Sequence, residues 1–182
     1  MVLFFAPIVF SIPAKIYNQF LPIQLGTPEF KVRHDNDLTP DVKRALLRFP
    51  DSQSCLQANA DAEKQDDLLL MNWNKIVNDG DATVCAFRLL HDWGDVSKAT
   101  TWLQAQGLSV GPTYSSAQPY IGADGTQRVT GTWSTKHDGP RFPASGKIRR
   151  IFSATGYGMG VNATYSPDGQ SLLFVRFSRS TL

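Results

Sequence analysis

The sequence lacks the short motifs that would assign a reaction to it. It contains no G-x-S-x-G nucleophile elbow, no H-E-x-x-H zinc helix, no C-x-x-C pair and no phosphate-binding P-loop. Residues 156–160 (GYGMG) are rich in glycine, but a dinucleotide-binding loop must open a helix, and strand-forming residues follow here. We therefore expect no cofactor, and the sequence favours a binding protein over an enzyme.

Charged residues are scarce, and acidic residues nearly disappear from the last third of the chain. Charged residues make up 19% of the sequence and hydrophobic residues 42%, a composition typical of a globular protein and not of a disordered one. Residues 1–127 carry 10 Lys/Arg and 14 Asp/Glu, whereas residues 128–182 carry 8 Lys/Arg and 2 Asp/Glu. This asymmetry indicates either an anionic partner or two halves that neutralise each other when they pack.

Cysteine is limited to Cys55 and Cys85. In an exported domain this pair predicts one disulfide, which would close a loop of about 30 residues and stabilise the fold by about 3 kcal/mol in the chain-entropy model. In a cytosolic domain both are expected to be small buried hydrophobic residues. A catalytic thiol is the third alternative, although Cys85 lies in an apolar run that disfavours a thiolate.

The N-terminus has no charge over residues 2–14 (VLFFAPIVFSIPA). A helix of that length reaches about 20 Å, which is short of a hydrocarbon core about 30 Å thick. A helix that continued to Leu25 would be long enough to span the bilayer, but it would include Lys15 and three amide side chains. The Gly and Pro of residues 25–28 then mark a boundary. We therefore divide the chain into an apolar, membrane-directed segment, residues 1–25, and one domain, residues 26–182.

Three interpretations of residues 1–25 remain open. The segment is a signal anchor, a cleaved signal peptide, or an apolar element docked on the domain. The first two predict a membrane-anchored or exported protein of a bacterial-type envelope, and the third predicts a cytoplasmic protein.

Helical patterns dominate the first half of the domain. Thr39 is a suitable N-cap for an amphipathic helix that continues to residue 49. A longer helix, or two helical pieces divided at the acidic residues 60–67, is predicted over residues 52–76 and ended by Asn78-Asp79-Gly80, and a third helix is predicted over residues 95–106. Between them, residues 82–90 (ATVCAFRLL) match both helix and strand patterns, and their short length favours a buried strand.

Strand patterns occupy most of the rest. Residues 29–34 and 108–114 are predicted strands, and the second forms a right-handed βαβ unit with residues 82–90 if both strands share a sheet. Two hairpins are predicted in the second half. They join residues 120–121 to 129–133 and residues 161–165 to 172–176. The two-sided apolarity of residues 172–177 indicates a central strand. The predicted fold class is two-layer α+β, with N-terminal helices packed on a mostly antiparallel C-terminal sheet.

Residues 165–175 (YSPDGQSLLFV) resemble the SPDG hairpin of WD40-like β-propeller blades, as in the TolB family. The likeness covers 11 of the 182 residues and occurs once. A propeller needs typically four or more blades of roughly 40 residues. The resemblance therefore implies a tight turn between two buried strands and carries no function to this chain.

Each of the three histidines, His34, His91 and His137, is followed by an aspartate. Three imidazoles brought together would hold a zinc ion with an open fourth position, and a His–Asp pair would serve as an oriented general base. Their spacing matches no metal motif, and all three lie near predicted turns. The first interpretation is a metal-dependent hydrolase, and the alternative is three ordinary surface residues.

Basic and aromatic residues alternate near the C-terminus. The basic residues are Lys147, Arg149, Arg150, Arg176 and Arg179. Such a pattern on one sheet face would bind RNA or anionic lipid. An alternative is a set of core aromatic residues with arginines at the sheet edge, which prevent aggregation.

From these observations we expect a membrane-tethered or exported domain that binds a protein or a small ligand without catalysing a reaction. The N-terminal segment makes the membrane a partner, and nucleic acid is not the expected partner. The metal-dependent hydrolase and the basic sheet module are the two alternatives.

Overall fold

The structure is a computed structural model of the chain. The described residues are 25–57, 69–111, 120–121, 125–134, 138 and 157–181. The predicted membrane-directed segment lies outside them, apart from Leu25. In the part of the chain that is described, no helix combines the length and the apolarity needed to cross a bilayer.

Among the described residues, four α-helices precede the sheet. They are α1 (Pro40–Arg48), α2 (Ser52–Cys55), α3 (Asp79–Trp93) and α4 (Val96–Ala105), with 3₁₀ turns at Asp35–Asp37 and Trp73–Lys75. A polar side chain caps the start of each α-helix, because it accepts a hydrogen bond from a backbone N–H of the first turn. The caps are Thr39, Asp51, Asn78 and Asp95.

The sheet has five strands in the described residues. They are β1 (Ser109–Val110), β2 (Tyr120–Ile121), β3 (Gln127–Ser134), β4 (Tyr157–Tyr165) and β5 (Leu172–Thr181). Every pairing is antiparallel, and the order is β1-β3-β4-β5, with β2 paired to another part of β3. The strand β5 is therefore an edge of the described sheet.

The helices cover one face of this sheet. Helix α3 lies against β5 and α4 lies against β3, while α1 packs on α3. The core-facing strand residues are buried, and they are Val129, Trp133, Met159, Val161, Ala163, Val175 and Phe177. A Cβ on Gly131 would lie 3.1 Å from side-chain atoms of Leu103 and Leu108, so this glycine allows α4 to approach β3 closely. The predicted two-layer α+β fold is confirmed.

Local predictions that rest on capping and turn residues agree with the structure. The helix predicted after Thr39 is α1, and the helix predicted over residues 95–106 is α4. Both predicted hairpins form, and the SPDG turn joins β4 to β5. The hydroxyl of Ser166 and the N–H of Gln170 donate to Asp168 in this turn, and together they hold the pKa of that carboxyl below its usual value.

The strand predicted over residues 82–90 is wrong, because these residues lie inside α3. Asn78, expected to end the preceding helix, instead caps α3, since its side chain accepts from the N–H of Asp81 at 2.9 Å. Ten residues of α3 are buried, so a helix enclosed on nearly all sides carries no polar stripe. The short apolar run of residues 82–90 and its β-branched side chains therefore give the same sequence pattern as a buried strand.

Two further predictions fail with it. The βαβ unit does not exist, because residues 82–90 are helical and β1 runs antiparallel to β3. The strand over residues 172–177, predicted to be central, lies at the edge of the described sheet, and α3 covers its inner face. The apolar residues on the inner face of β5 are explained by their contact with α3 and not by a central position in the sheet.

The long helix over residues 52–76 is also wrong where the structure describes it. It is replaced by the single turn of α2 and the 3₁₀ turn Trp73–Lys75, and residues 58–68 lie outside the described part. The predicted strand over residues 29–34 is not a strand, because no neighbouring strand pairs with it. Its apolar residue Phe30 instead packs edge-on against Phe87 of α3, with ring centroids 5.1 Å apart.

The guanidinium group of Arg88 joins three segments of the domain at the centre of α3. Arg88 has no exposed surface. Its Nε donates to the carbonyl oxygen of Phe49 at 2.7 Å, its Nη1 to that of Pro28 at 2.7 Å, and its Nη2 to that of Leu25 at 3.1 Å. A Cβ on Gly26 would lie 2.2 Å from Nη2, so only glycine lets the chain pass this close.

Burial lowers the pKa of the Arg88 guanidinium, and the negative charges of Asp51 and Asp92 oppose the shift. Guanidinium groups nevertheless keep their proton in proteins, so the group stays a cation. Its donors bind the carbonyl oxygens of Phe49 and Pro28 and supplement the N–H of Phe30 at that of Leu25, and charge-assisted bonds of this kind are among the stronger ones.

A disulfide bonds α2 to the same helix. The Sγ atoms of Cys55 and Cys85 are 2.06 Å apart, and both residues are buried. Cys85 precedes Arg88 by three residues, which places both on one face of α3. Of the three alternatives for the cysteines, the structure contains the disulfide. The free buried residues and the catalytic thiol are therefore wrong for this pair.

We expect the double variant Cys55→Ala/Cys85→Ala to have a free energy of unfolding about 3 to 4 kcal/mol below that of the wild type, because the bond closes a 30-residue separation. Urea unfolding followed by far-UV circular dichroism measures this. A phosphine reductant is expected to lower the wild-type midpoint similarly and to leave the variant unchanged. A wild-type midpoint that does not respond to reductant contradicts the prediction.

We expect Arg88→Met to lower the free energy of unfolding by about 3 kcal/mol, because it removes three charge-assisted hydrogen bonds and takes the guanidinium donor from the carbonyl oxygens of Phe49 and Pro28. The matched control is Arg44→Met in α1. The Arg44 side chain is 66% exposed, so its ion pair contributes about 0.5 kcal/mol or less. Urea denaturation measures the free energy of unfolding of both variants. Equal losses in the two variants would contradict a central role for Arg88.

Candidate functional site

A cleft of about 890 Å³ lies where the first turns of two helices meet the sheet. Residues 30–37 form one wall, and the first turns of α1 and α3 form the second. Residues of β3, β4 and β5 form the third. We call this cavity the β5 cleft. Its volume is near the upper end of the range typical of small-ligand sites, about 300 to 1,000 Å³.

The sheet contributes polar side chains from the face that α3 and α4 do not cover. Antiparallel pairing places side chains from three strands in rows across that face. The rows are Arg128–Thr164–Phe174 and Thr130–Asn162–Arg176. The Thr130 hydroxyl donates to Asn162 Oδ1 at 2.8 Å, which leaves the Asn162 amide group directed to donate to a ligand in the cleft.

The cleft passes around the edge of β5 and does not stay on one face of the sheet. Four successive residues, 174–177, line it, and successive side chains of a strand point to opposite faces. Phe177 faces the helices, and its backbone N–H donates to Thr83 Oγ1 of α3 at 3.2 Å. A ligand in the cleft would therefore meet the backbone of β5 as well as its side chains.

The helical wall is formed by two N-termini in direct contact. A Cβ on Gly80 would lie 2.5 Å from the carbonyl carbon of Asp41 and 2.7 Å from the nitrogen of Val42. The absence of a side chain at Gly80 thus lets the first turn of α3 rest on the first turn of α1. Both helix dipoles present their positive ends at this side of the cleft.

The charged residues that line the cleft are three arginines and three aspartates. They are Arg33, Arg128, Arg176, Asp37, Asp41 and Asp79. Two of the aspartates have their own arginine partners: Asp41 pairs with Arg44, and Asp79 Oδ1 lies 2.5 Å from Arg179 Nε. Five guanidinium groups therefore stand against three carboxylates, a net charge of +2.

The three lining arginines have no ion pair with any described residue. Arg33 stacks over the ring of Phe174, with its Cζ 5.9 Å from the ring centroid, which holds the guanidinium at the outer mouth of the cleft. Arg128 Nε is buried and has no hydrogen-bond partner. A buried donor without an acceptor costs about 1 to 3 kcal/mol, and a ligand oxygen would remove that cost.

Two of the three threonine hydroxyl groups at the cleft already accept backbone hydrogen bonds. Thr39 Oγ1 accepts from the N–H of Val42 at 3.3 Å, and Thr83 Oγ1 accepts from Phe177. Among the described residues that line the cleft there is no cysteine, serine, lysine or glutamate. The arrangement offers arginine cations, one amide side chain and aromatic surface, which are groups that fix a ligand in a pocket.

The three histidines of the hydrolase hypothesis occupy separate settings where they are described. His34 is exposed and lines the cleft, whereas His91 lies in the last turn of α3 with its Nδ1 3.4 Å from Asp92 Oδ1. His137 lies outside the described residues. Throughout the described ranges, no group of three or more His, Cys, Asp or Glu residues could hold a metal ion.

The residues of the basic patch hypothesis do not share one described surface. Arg176 belongs to the outer row of the cleft, while Arg179 is an odd number of residues away and pairs with Asp79 of α3. Lys147, Arg149 and Arg150 lie outside the described residues.

Sequence reasoning named His34 and Arg176 as candidate residues but missed most of the cleft. Arg33 and Arg128 carried no motif, and Asn162 was one polar residue in a strand. The alternation of polar residues in β3 and β5 was visible and could have placed Arg128 and Arg176 on one sheet face. No local signal indicated that residues 30–37 pass along that face.

Comparison with protein-family models, with curated proteins and with solved structures finds no match to this chain.

Proposed function

We propose that this protein is an exported or membrane-tethered domain that binds an anionic ligand in the β5 cleft without catalysing a reaction. The observation that carries the proposal is the set of three arginines without an ion pair among the described residues, at a cavity where two of the three aspartates pair with arginines outside it.

The donors of the cleft suit carboxylate or phosphate oxygens. Arginine presents a planar fork that binds two oxygens of one anionic group. The Asn162 amide and the positive ends of α1 and α3 add further donors around the same space. Carboxylate and phosphate share this chemistry, so the ligand is defined by its negative charge.

The disulfide supports the exported part of the proposal. Bonded cysteines persist in oxidising compartments and are rare in the cytosol. The bond between Cys55 and Cys85 is buried beneath α2 and α3, where it serves the fold and not a reaction. The uncharged N-terminal residues 2–14 point the same way, since export signals contain such runs.

We expect citrate to bind the wild-type protein saturably at low salt, because its three carboxylates match the unpaired arginines. Amide shifts in nitrogen–proton NMR spectra should fall on cleft residues such as Asn162 and Arg176. The variant Arg176→Gln should bind citrate about tenfold more weakly, since a charge-assisted bond contributes about 1.5 to 3 kcal/mol. Affinity should also fall as sodium chloride is added.

Two controls accompany the citrate titration. Triethyl citrate has the same skeleton without charge and should not bind. Lys98→Gln removes an exposed cation of α4 outside the cleft and should leave citrate affinity unchanged. If Lys98→Gln and Arg176→Gln weaken citrate equally, the binding is general charge attraction and the proposal fails.

We expect the full-length protein, expressed in a bacterium, to leave the cytosolic fraction. A maleimide reagent should label neither Cys55 nor Cys85 until the sample is reduced, because the two are bonded. A cytosolic variant without residues 2–14 serves as the fractionation control. Recovery of full-length protein in the cytosol with both thiols labelled would refute export.

A further inference from the structure

The outer edge of β5 is open in the described sheet. The strand order is β1-β3-β4-β5, so β5 has a described strand, β4, on one side only. An edge strand presents a row of N–H and C=O groups that can pair with another chain. In this protein part of that edge lies inside the cleft, since residues 174–177 line it.

One hydrogen bond shows which backbone groups face the edge. The N–H of Phe177 donates to Thr83 Oγ1, so it points away from β4. In an antiparallel strand both backbone groups of a residue point to the same side, and the side alternates with each residue. The N–H and C=O of Val175 therefore point to the same edge as those of Phe177.

Val175 is the open position of this edge. It is 5% exposed, and none of the described residues makes a cross-edge hydrogen bond to its backbone groups. Phe177, two residues later, already gives its N–H to Thr83, so the open stretch ends there. A strand that entered the cleft would satisfy the backbone of Val175.

The charges of the cleft indicate the side chains of such a strand. Side chains of an added strand would alternate between the two faces of the sheet. On the outer face they would meet Arg33 and Arg176, with Arg128 two strands further across the sheet, whereas on the other face they would meet Val42 and Phe177 beside Asp41 and Asp79, which already have partners. Acidic residues at every second position complement this arrangement.

We propose that the ligand of the β5 cleft is an extended acidic peptide that adds to the sheet as a strand beside β5. This deepens the proposed function and rests on it, because the same arginines bind the anionic groups. Addition of a strand to a sheet edge is an established mode of peptide recognition, in which backbone bonds give affinity and alternate side chains give specificity. A second copy of this chain does not suit the site, because pairing of the two β5 strands would place the arginine-lined outer faces of both copies side by side.

The test uses hexapeptides with capped ends, Glu at alternate positions and Val between them. The alternating Glu residues set which face each side chain takes, so they also set which amides face β5. Two methylated forms carry N-methyl groups on either the Glu amides or the Val amides. Isothermal titration to the wild-type protein should show one form about tenfold weaker than the parent peptide and the other within about twofold. The same peptide with Lys in place of Glu should not bind.

Val175→Pro removes the N–H that faces the edge and also replaces a buried valine side chain, and edge strands accept proline where the N–H is unpaired. This variant should bind the peptide at least fivefold more weakly and should bind citrate as the wild type does. Citrate affinity and the circular dichroism spectrum report whether the variant is folded, and the methylated peptides test the wild type independently.

The outcomes separate the two proposals. If citrate binds through Arg176 but both methylated peptides bind as tightly as the parent, the ligand is a small anion and strand addition is wrong. The same holds if the acidic peptide does not bind while citrate does. If neither citrate nor the peptide binds, the anion-binding function fails and strand addition fails with it.

Discussion

Three carbonyl oxygens from the start of the domain and from the end of α1 meet on the guanidinium group of Arg88. A cation placed inside a protein is stable only when its donors are used, and here all three guanidinium nitrogens donate. The disulfide from Cys85, three residues earlier, secures α2 to the same face of α3. Helix α3 is therefore the element on which the other segments are assembled.

The cleft depends on this assembly. Because Arg88 holds Leu25 and Pro28, the chain that follows is directed along α3, and Phe30 packs on Phe87. The next residues carry Arg33 over the sheet to the ring of Phe174. A buried hydrogen-bond network in the core thus positions a cation at the mouth of a site on the other side of β5.

The charge that the cleft offers a ligand depends on the ion pairs of its aspartates and not on the number of charged residues that line it. The lining residues alone would be neutral, with three arginines and three aspartates. Arg44 and Arg179, which lie outside the cleft, pair with Asp41 and Asp79 and leave the lining arginines free. The basic excess of the C-terminal third, noted in the sequence, contributes through Arg128, Arg176 and Arg179 and is partly balanced by the acidic N-terminal part.

The sequence by itself determined the elements whose signals are local: the capped helices α1 and α4, both hairpins and the α+β class. It also named the cysteine pair as one of three alternatives. Only the tertiary structure decided that residues 82–90 are helical, because a helix buried on most sides lacks the polar stripe that periodicity detects. The cleft was likewise decided by tertiary structure, since Arg33 and Arg176 are brought together by contacts between segments far apart in the chain, which no local pattern encodes.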